Sequence, residues 1–202
     1  MISDLWVYEK KARDMGHQIV AGIDEAGRGP LAGPVVSAAV ILPEGADLPG
    51  IDDSKKLTPA KRNRLYDHLY TVASAIGIGV VDTVEIDRIN ILQASLRSMA
   101  MAVANLRPSP DHLLVDGLFT IASDLPQQAI KKGDSLSISI AAASIVAKVT
   151  RDRIMTQVDA LFPEFGFCRH KGYPTQTHRT AIMRHGCSPI HRRTFKGVRE
   201  YV

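Results

Sequence analysis

The run from Gln18 to Pro30 restricts what this chain can fold into more than any other stretch. Gln18, Ile19, Val20 and Ala21 are extended-chain residues that feed Gly22-Ile23-Asp24-Glu25, and the turn Gly27-Arg28-Gly29-Pro30 follows at once. Neighbouring strand residues point to opposite faces, so Asp24 and Glu25 can share a site only where the chain bulges or turns. Taken singly, each part has an ordinary reading: surface charge at a strand end, and a tight turn at Gly-x-Gly. Together they set metal-type oxygen ligands beside backbone that can approach a phosphate and a guanidinium that can grip it. That combination points to phosphoryl chemistry on a nucleic acid.

Periodicity places the other elements around this strand. Residues 2 to 15 read as a short amphipathic helix, a lid over the sheet, and residues 18 to 25 as the first strand. Residues 34 to 42 (PVVSAAVIL) are a second, buried strand, joined to the first as an antiparallel hairpin. After a loop, Thr58 caps a helix with Pro59 at its first position, running to about Ala75 with Leu65, Leu69 and Val72 on one face. A third strand spans 76 to 81. From about Val84, the positions Ile89, Leu92, Leu96, Met99, Val103 and Leu106 recur at 3-4-3-4-3, which predicts one long helix ended by Pro108 and Pro110. Strands follow at 112 to 117 and 127 to 132, then a helix from about Ile138 to Leu161. Residues 163 to 202 are polar, basic and turn-rich, with one short helix near Thr177 to Arg184 that Gly186 stops. The expected architecture is α/β: a mixed five-stranded sheet covered by helices, in a single domain over residues 1–202.

Composition excludes several classes. With 45% hydrophobic and 23% charged residues among 202, the chain is neither disordered nor fibrous. Two cysteines cannot form a disulfide framework, which points to a reducing compartment. The first twenty residues lack a secretory apolar core, and the most apolar run, Ile140 to Ala147, is too short to span a bilayer. The expected setting is the cytoplasm, with no membrane partner. The net charge of +4 favours a polyanionic partner. No domain-sized apolar surface is readable, so a monomer is expected.

Acidic residues fall where strands end: Asp24 and Glu25, Asp116, and Asp134. Each alone fits a turn or cap; four at ends that could converge fit a site. Carboxylates facing one another require a cation, and an all-oxygen set points to Mg²⁺ or Mn²⁺. Two such ions, about 3.5–4 Å apart, suit phosphodiester hydrolysis. Cys168-Arg169-His170 and His185-Gly186-Cys187 also attract notice, but their one-residue gaps are tighter than the roughly two to four of zinc sites. Candidate substrate contacts are Gly27, Arg28 and Gly29, the basic loop Ser54, Lys55 and Lys56, and the cation–aromatic segments carrying Lys171, Tyr173 and Arg192. Tyr173, between Gly172 and Pro174, can present a ring for stacking on a sugar or base. On these residues alone a two-metal DNA nuclease or transposase-like enzyme, and a non-catalytic nucleic-acid-binding module, stay open as alternatives.

One family matches these motifs in order. Gly22-x-Asp24-Glu25-x-Gly27-Arg28-Gly29-Pro30-Leu31-x-Gly33-Pro34-Val35-Val36, Asp53-Ser54-Lys55-Lys56-Leu57, Asp116-Gly117, Lys132-Gly133-Asp134, His170 to Thr175, His185-Gly186 and His191 to Phe195 resemble bacterial type 2 ribonucleases H over residues 18 to 198. The resemblance implies a ribonuclease H-like fold with a C-terminal helical, basic lobe (about 163–202) that binds substrate. It implies cleavage of the RNA strand of RNA–DNA hybrids and incision 5′ of single ribonucleotides in duplex DNA, leaving 3′-hydroxyl and 5′-phosphate ends. Asp24, Glu25, Asp116 and Asp134 then resemble the catalytic metal-binding carboxylates. Gly27, Arg28 and Gly29 resemble the loop that reads the 2′-hydroxyl, and Tyr173 the tyrosine at the RNA–DNA junction. A replication clamp is a further implied partner. Type 3 relatives usually carry an N-terminal substrate-binding domain, and only about 17 residues precede the first strand here. One departure is Gly197, where many members have proline.

Overall fold

The computed structural model describes residues 4–52, 54 and 57–202. Five strands form one sheet: β1 (Val20–Ala26), β2 (Val35–Ile41), β3 (Ala75–Val81), β4 (His112–Asp116) and β5 (Gln127–Ile130), in spatial order β3-β2-β1-β4-β5. β1 pairs antiparallel with β2 (Ile23 opposite Ala39), and β2 antiparallel with β3 (Ala38 opposite Ile78). β1 and β4 run parallel (Gly22 beside Leu114), as do β4 and β5 (Val115 beside Ala129). The hairpin and the mixed sheet follow the sequence expectation.

Every residue of β2 is buried, because helices cover both faces. Ala38 and Val40 pack with Leu65 and Leu69 of α2 (Pro59–Val72) and with Ala142, Ile145 and Val146 of α5 (Ile138–Asp159). Ala39 and Ile41, one residue out of phase, pack with Met99 and Ala102 of α4 (Ile91–Ala104). This is the two-residue alternation of a strand between two apolar layers. The first turns of α5 are buried all round and rich in Ala and Ser, which lets the helix approach β1 closely. A Cβ placed on Gly22 would come within 2.2 Å of the Ser139 backbone, so no larger residue fits there.

The N-terminal helix is α1 (Val7–Asp14), which buries Ala12 against Val20, Leu114, Ile130 and Ile140. Its buried Glu9 accepts hydrogen bonds from the Ser137 hydroxyl (2.5 Å) and from the amide and hydroxyl of Ser139 (3.0 and 2.6 Å). A carboxylate thus sits at the positive start of the longest helix, where it is favoured.

The single long helix expected from Val84 is two: α3 (Thr83–Ile89) and α4. Asn90 breaks it with φ 68° and ψ 164°, far from helical values, and its Oδ1 caps the second helix by accepting the amides of Leu92 (3.0 Å) and Gln93 (3.1 Å).

Residues beyond 163 are not a solvated tail. α6 (Phe167–His170) and α7 (Gln176–His185) bury Phe165, Phe167, Ile182 and Val198 against Leu31, Ala32 and Met155. Gly197 adopts φ 93°, which proline cannot take, so the turn there needs glycine. Among the described residues no helix is long and apolar enough to cross a membrane.

Candidate active site

Oxygen atoms of Asp24, Glu25 and Asp116 lie within 4.8 Å of one another, the one such group of metal-type ligands among the described residues. Of the bulge or turn that the sequence calls for, the bulge is absent: the β1–β2 register runs unbroken through Asp24, Glu25 and Ala26. Convergence comes from the strand end instead. β4 pairs with β1 only as far as Val115 beside Ile23, so Asp24 and Glu25 run on past that ladder. The Asp24 carboxylate folds back to accept the Glu25 amide at 2.6 Å, which turns it along its own strand. Asp116 ends β4 and accepts the Gly133 amide at 2.7 Å. Asp134, buried on the 3₁₀ turn Gly133–Ser135, is tied to the cluster through that bond but lies outside the 4.8 Å group. Oxygen donors alone, all carboxylate, fit a hard divalent cation such as Mg²⁺ or Mn²⁺.

These acids open onto a cleft of about 240 Å³ whose walls include the Gly27–Gly29 loop, Ser54, Ser144, Lys148 and Tyr173. The two glycines differ. Gly27 has φ 104°, and a Cβ there would sit 2.2 Å from Arg151 Nε, so packing behind the loop requires glycine. At Gly29 a Cβ would meet only the Tyr173 ring edge at 3.7 Å. The Arg28 guanidinium approaches Glu25 at 3.3 Å. The partly exposed Tyr173 ring lies 5.8 Å from the Lys148 ammonium, which Asp152 holds at 2.7 Å. Ser144 donates to Ser54 at 2.7 Å in the wall. Lys148 and Ser144 were missed from the sequence; their i, i+4 spacing in an otherwise apolar run is the signal that could have found them.

Other expected contacts are placed elsewhere. Lys171 does not line the cleft; its ammonium donates to Thr156 Oγ1 (2.8 Å) and Cys168 O (2.7 Å), beside a separate groove between α2 and α5. Arg192 is corrected outright. It is fully buried, its donors are spent on loop carbonyls, and no part of it faces solvent for a phosphate. Lys55 and Lys56, like Asp53, lie outside the described residues.

Histidines support the Tyr173 turn. The Ser188 amide donates to His191 Nδ1 (2.9 Å), so the proton of that ring lies on Nε2, 3.0 Å from His178 Nε2. His178 therefore carries its own proton on Nδ1 and donates to the Tyr173 carbonyl at 2.9 Å. Burial pushes both rings down to about 4, consistent with a chain of neutral imidazoles. His170, with Nε2 on Phe165 O at 2.9 Å, stacks on His178 and belongs to this support, not to a zinc site.

The ribonuclease HII family model matches residues 21–198. The chain is 60% identical over 198 residues to ribonuclease HII of Geobacter sulfurreducens, covering 98% of this chain and 91% of that one. It is 57% identical over 197 residues to that of Geobacillus thermodenitrificans, covering 98% and 76%. Among solved structures it is similar to ribonuclease H2 from Pyrococcus horikoshii (TM-score 0.76, 30% identity, 91% and 97% covered). It is also similar to the structure of a PCNA:RNase HII complex from Archaeoglobus fulgidus (TM-score 0.74, 27% identity, 89% and 96% covered).

Proposed function

Because the chain belongs to the ribonuclease HII family of metal-dependent endonucleases, we propose that it hydrolyses the RNA strand of RNA–DNA hybrids and incises on the 5′ side of single ribonucleotides in duplex DNA. The observation that carries this reading is one cleft shared by three convergent carboxylates, a glycine loop and an aromatic ring.

The 2′-hydroxyl is the one group that distinguishes a ribonucleotide from its deoxy neighbours. A cut on the 5′ side of that residue leaves its 2′-oxygen remote from the broken bond, so the hydroxyl is read and is not the nucleophile. Water is the nucleophile: a new O–P bond forms, the P–O3′ bond breaks, and the O3′ takes a proton. The products carry a 3′-hydroxyl and a 5′-phosphate. Asp24, Glu25 and Asp116, with Asp134 from the adjoining turn, would hold the divalent ions. Bound there, two divalent ions supply a lowered pKa for water on one side of the phosphodiester and charge stabilisation for the leaving oxygen on the other. The Gly27–Gly29 loop contacts the 2′-oxygen, Tyr173 stacks on the neighbouring sugar, and Lys148 adds positive potential beside the phosphate.

The test is a duplex with one ribonucleotide beside an all-DNA control, with Mg²⁺ and Mn²⁺ in turn. We expect cutting of the first alone, with 3′-hydroxyl and 5′-phosphate ends. Equal cutting of both, or a 2′,3′-cyclic phosphate, would overturn the reading. The proposal extends to a monomeric cytoplasmic enzyme and to a replication clamp as partner, the latter on the strength of the archaeal relative's complex with PCNA. Co-elution with a purified clamp tests that extension.

A further inference from the structure

Two buried guanidiniums lie behind the Gly27–Pro34 loop, and the role assigned to them rests on reading that loop as the 2′-hydroxyl sensor. Arg192 donates to Gly27 O through Nη2 (2.5 Å), to Arg28 O through Nη1 (3.0 Å), and to Gly33 O through Nε and Nη2 (3.0 and 2.9 Å). Arg151, 1% exposed, donates to Pro34 O (2.9 Å), Ala32 O (3.1 Å) and Lys171 O (3.0 Å). Six backbone carbonyls are thus drawn inward by two side chains.

A trans peptide is planar, and its N–H points opposite to its C=O. The Gly27 carbonyl faces the interior at Arg192, so the Arg28 N–H faces away from it. The Arg28 carbonyl does the same, so the Gly29 N–H also faces outward. Among the described residues no backbone carbonyl accepts either amide. Both residues line the carboxylate cleft. Two successive outward amides form a small concave donor pair that suits an oxygen acceptor.

We propose that Arg192 is a positioning residue that sets the polarity of this loop, turning amide donors and not carbonyls toward the substrate oxygen. Arg151 sets its distance from Tyr173, because one guanidinium joins Ala32 and Pro34 to the Lys171 carbonyl of the tyrosine turn. Lysine cannot replace arginine in either place: an ammonium is a compact donor and does not span three carbonyls as a planar fork does.

The experiment measures kcat and KM separately on the one-ribonucleotide duplex, well below the melting temperature of every variant. Arg192→Lys is compared with Leu106→Ala, which opens a cavity in the core on the α4 face. We expect Arg192→Lys to lower kcat about 10- to 100-fold with KM within about threefold, since misplacing a reading group by about 1 Å costs that much. Leu106→Ala should leave kcat within about twofold despite its lower melting temperature. Arg151→Lys, which leaves the Gly27 and Arg28 carbonyls on Arg192, should lose less kcat than Arg192→Lys. An unchanged kcat in Arg192→Lys, a loss matched by Leu106→Ala, or the reverse order of the two arginine variants would overturn the assignment. Failure of the wild-type enzyme to cut this duplex would instead defeat the functional reading itself.

Discussion

The molecule gathers like charges in two neighbouring places and handles them in opposite ways. At the cleft, Asp24, Glu25 and Asp116 bring their oxygens within 4.8 Å of one another at an open strand end. Behind the adjoining loop, Arg151 and Arg192 bring two guanidiniums into the interior, where carbonyl dipoles of the chain itself surround them. Carboxylate oxygens gathered this closely favour a hard divalent cation among them. Buried guanidiniums whose every nitrogen is bonded to a carbonyl call for no further partner. The first cluster is therefore a place for a ligand, and the second fixes the backbone of the loop beside it.

That contrast breaks most sharply at Asp24→Asn. Loss of one of the carboxylates proposed to hold the metal should cost several kcal/mol in the reaction, a fall of about 10³-fold or more in cleavage. The melting temperature should hold or rise, because asparagine can still accept the Glu25 amide while like-charge repulsion falls. A divalent cation should raise the melting temperature of the wild type and not of the variant. A variant that stays active, or melts well below the parent, would place Asp24 on the scaffold side of the comparison.

The opposite pattern is expected of Arg192→Met. Removing the guanidinium leaves the carbonyls of Gly27, Arg28 and Gly33 without their buried donors, at a cost of about 3 kcal/mol or more in stability by denaturant melts. Duplex binding measured without turnover should change little, because this side chain presents no charge to solvent. A large loss of binding with stability intact would return Arg192 to the substrate surface.

What could be read from the sequence divides along the same line. The acids were legible because strand ends and the Gly-Arg-Gly turn are local features, and Asp24, Glu25 and Asp116 are each announced by the residues beside them. Their means of convergence was not legible: it depends on how far β4 runs beside β1, a tertiary fact, and no bulge was needed. Arg192 was misread because a cation among polar residues looks solvated until the chain brings Gly27 to Gly33 over it. The Asn90 break was masked by an apolar stripe that continues across it, although Asn90-x-x-Gln93 has the spacing of an N-cap signal. Ser144 and Lys148 reach the cleft from a helix chosen for burial, and only its partner strand shows which face is open.

Histidine chemistry sharpens the scaffold half of the comparison. His178 and His191 are held at about 4 by burial, against an ordinary 6.5. The unfolded chain binds protons on them as pH falls below about 6.5, whereas the folded chain refuses them until about 4. Their contribution is therefore fully present above pH 6.5 and is lost as pH falls through that window, on the order of 3 kcal/mol for each ring at full titration. Denaturant melts between pH 7 and 4 should show this slope, and His178→Gln should flatten part of it. A slope unchanged in the variant would remove His178 from the account.

Tyr173 is where the two halves meet, and its substitution should have the smallest effect. Its ring edges the cleft over Gly29, while its carbonyl is held by His178 and the preceding turn is held by Arg151. On the proposed function the ring would add stacking on a sugar or base, worth about 1–3 kcal/mol on a single-stranded surface. The carboxylates and the loop amides stay in place without it. Tyr173→Ala should therefore slow incision at a single ribonucleotide about 10-fold, near the low end of that range, with the fold intact. Tyr173→Phe separates stacking from the hydroxyl: full activity assigns the effect to the ring, and the loss seen with alanine assigns it to the oxygen. Rates equal to wild type in both variants would show that the cleft reads its substrate through the glycine loop alone, and the seam between cluster and scaffold would then lie at Gly27–Gly29.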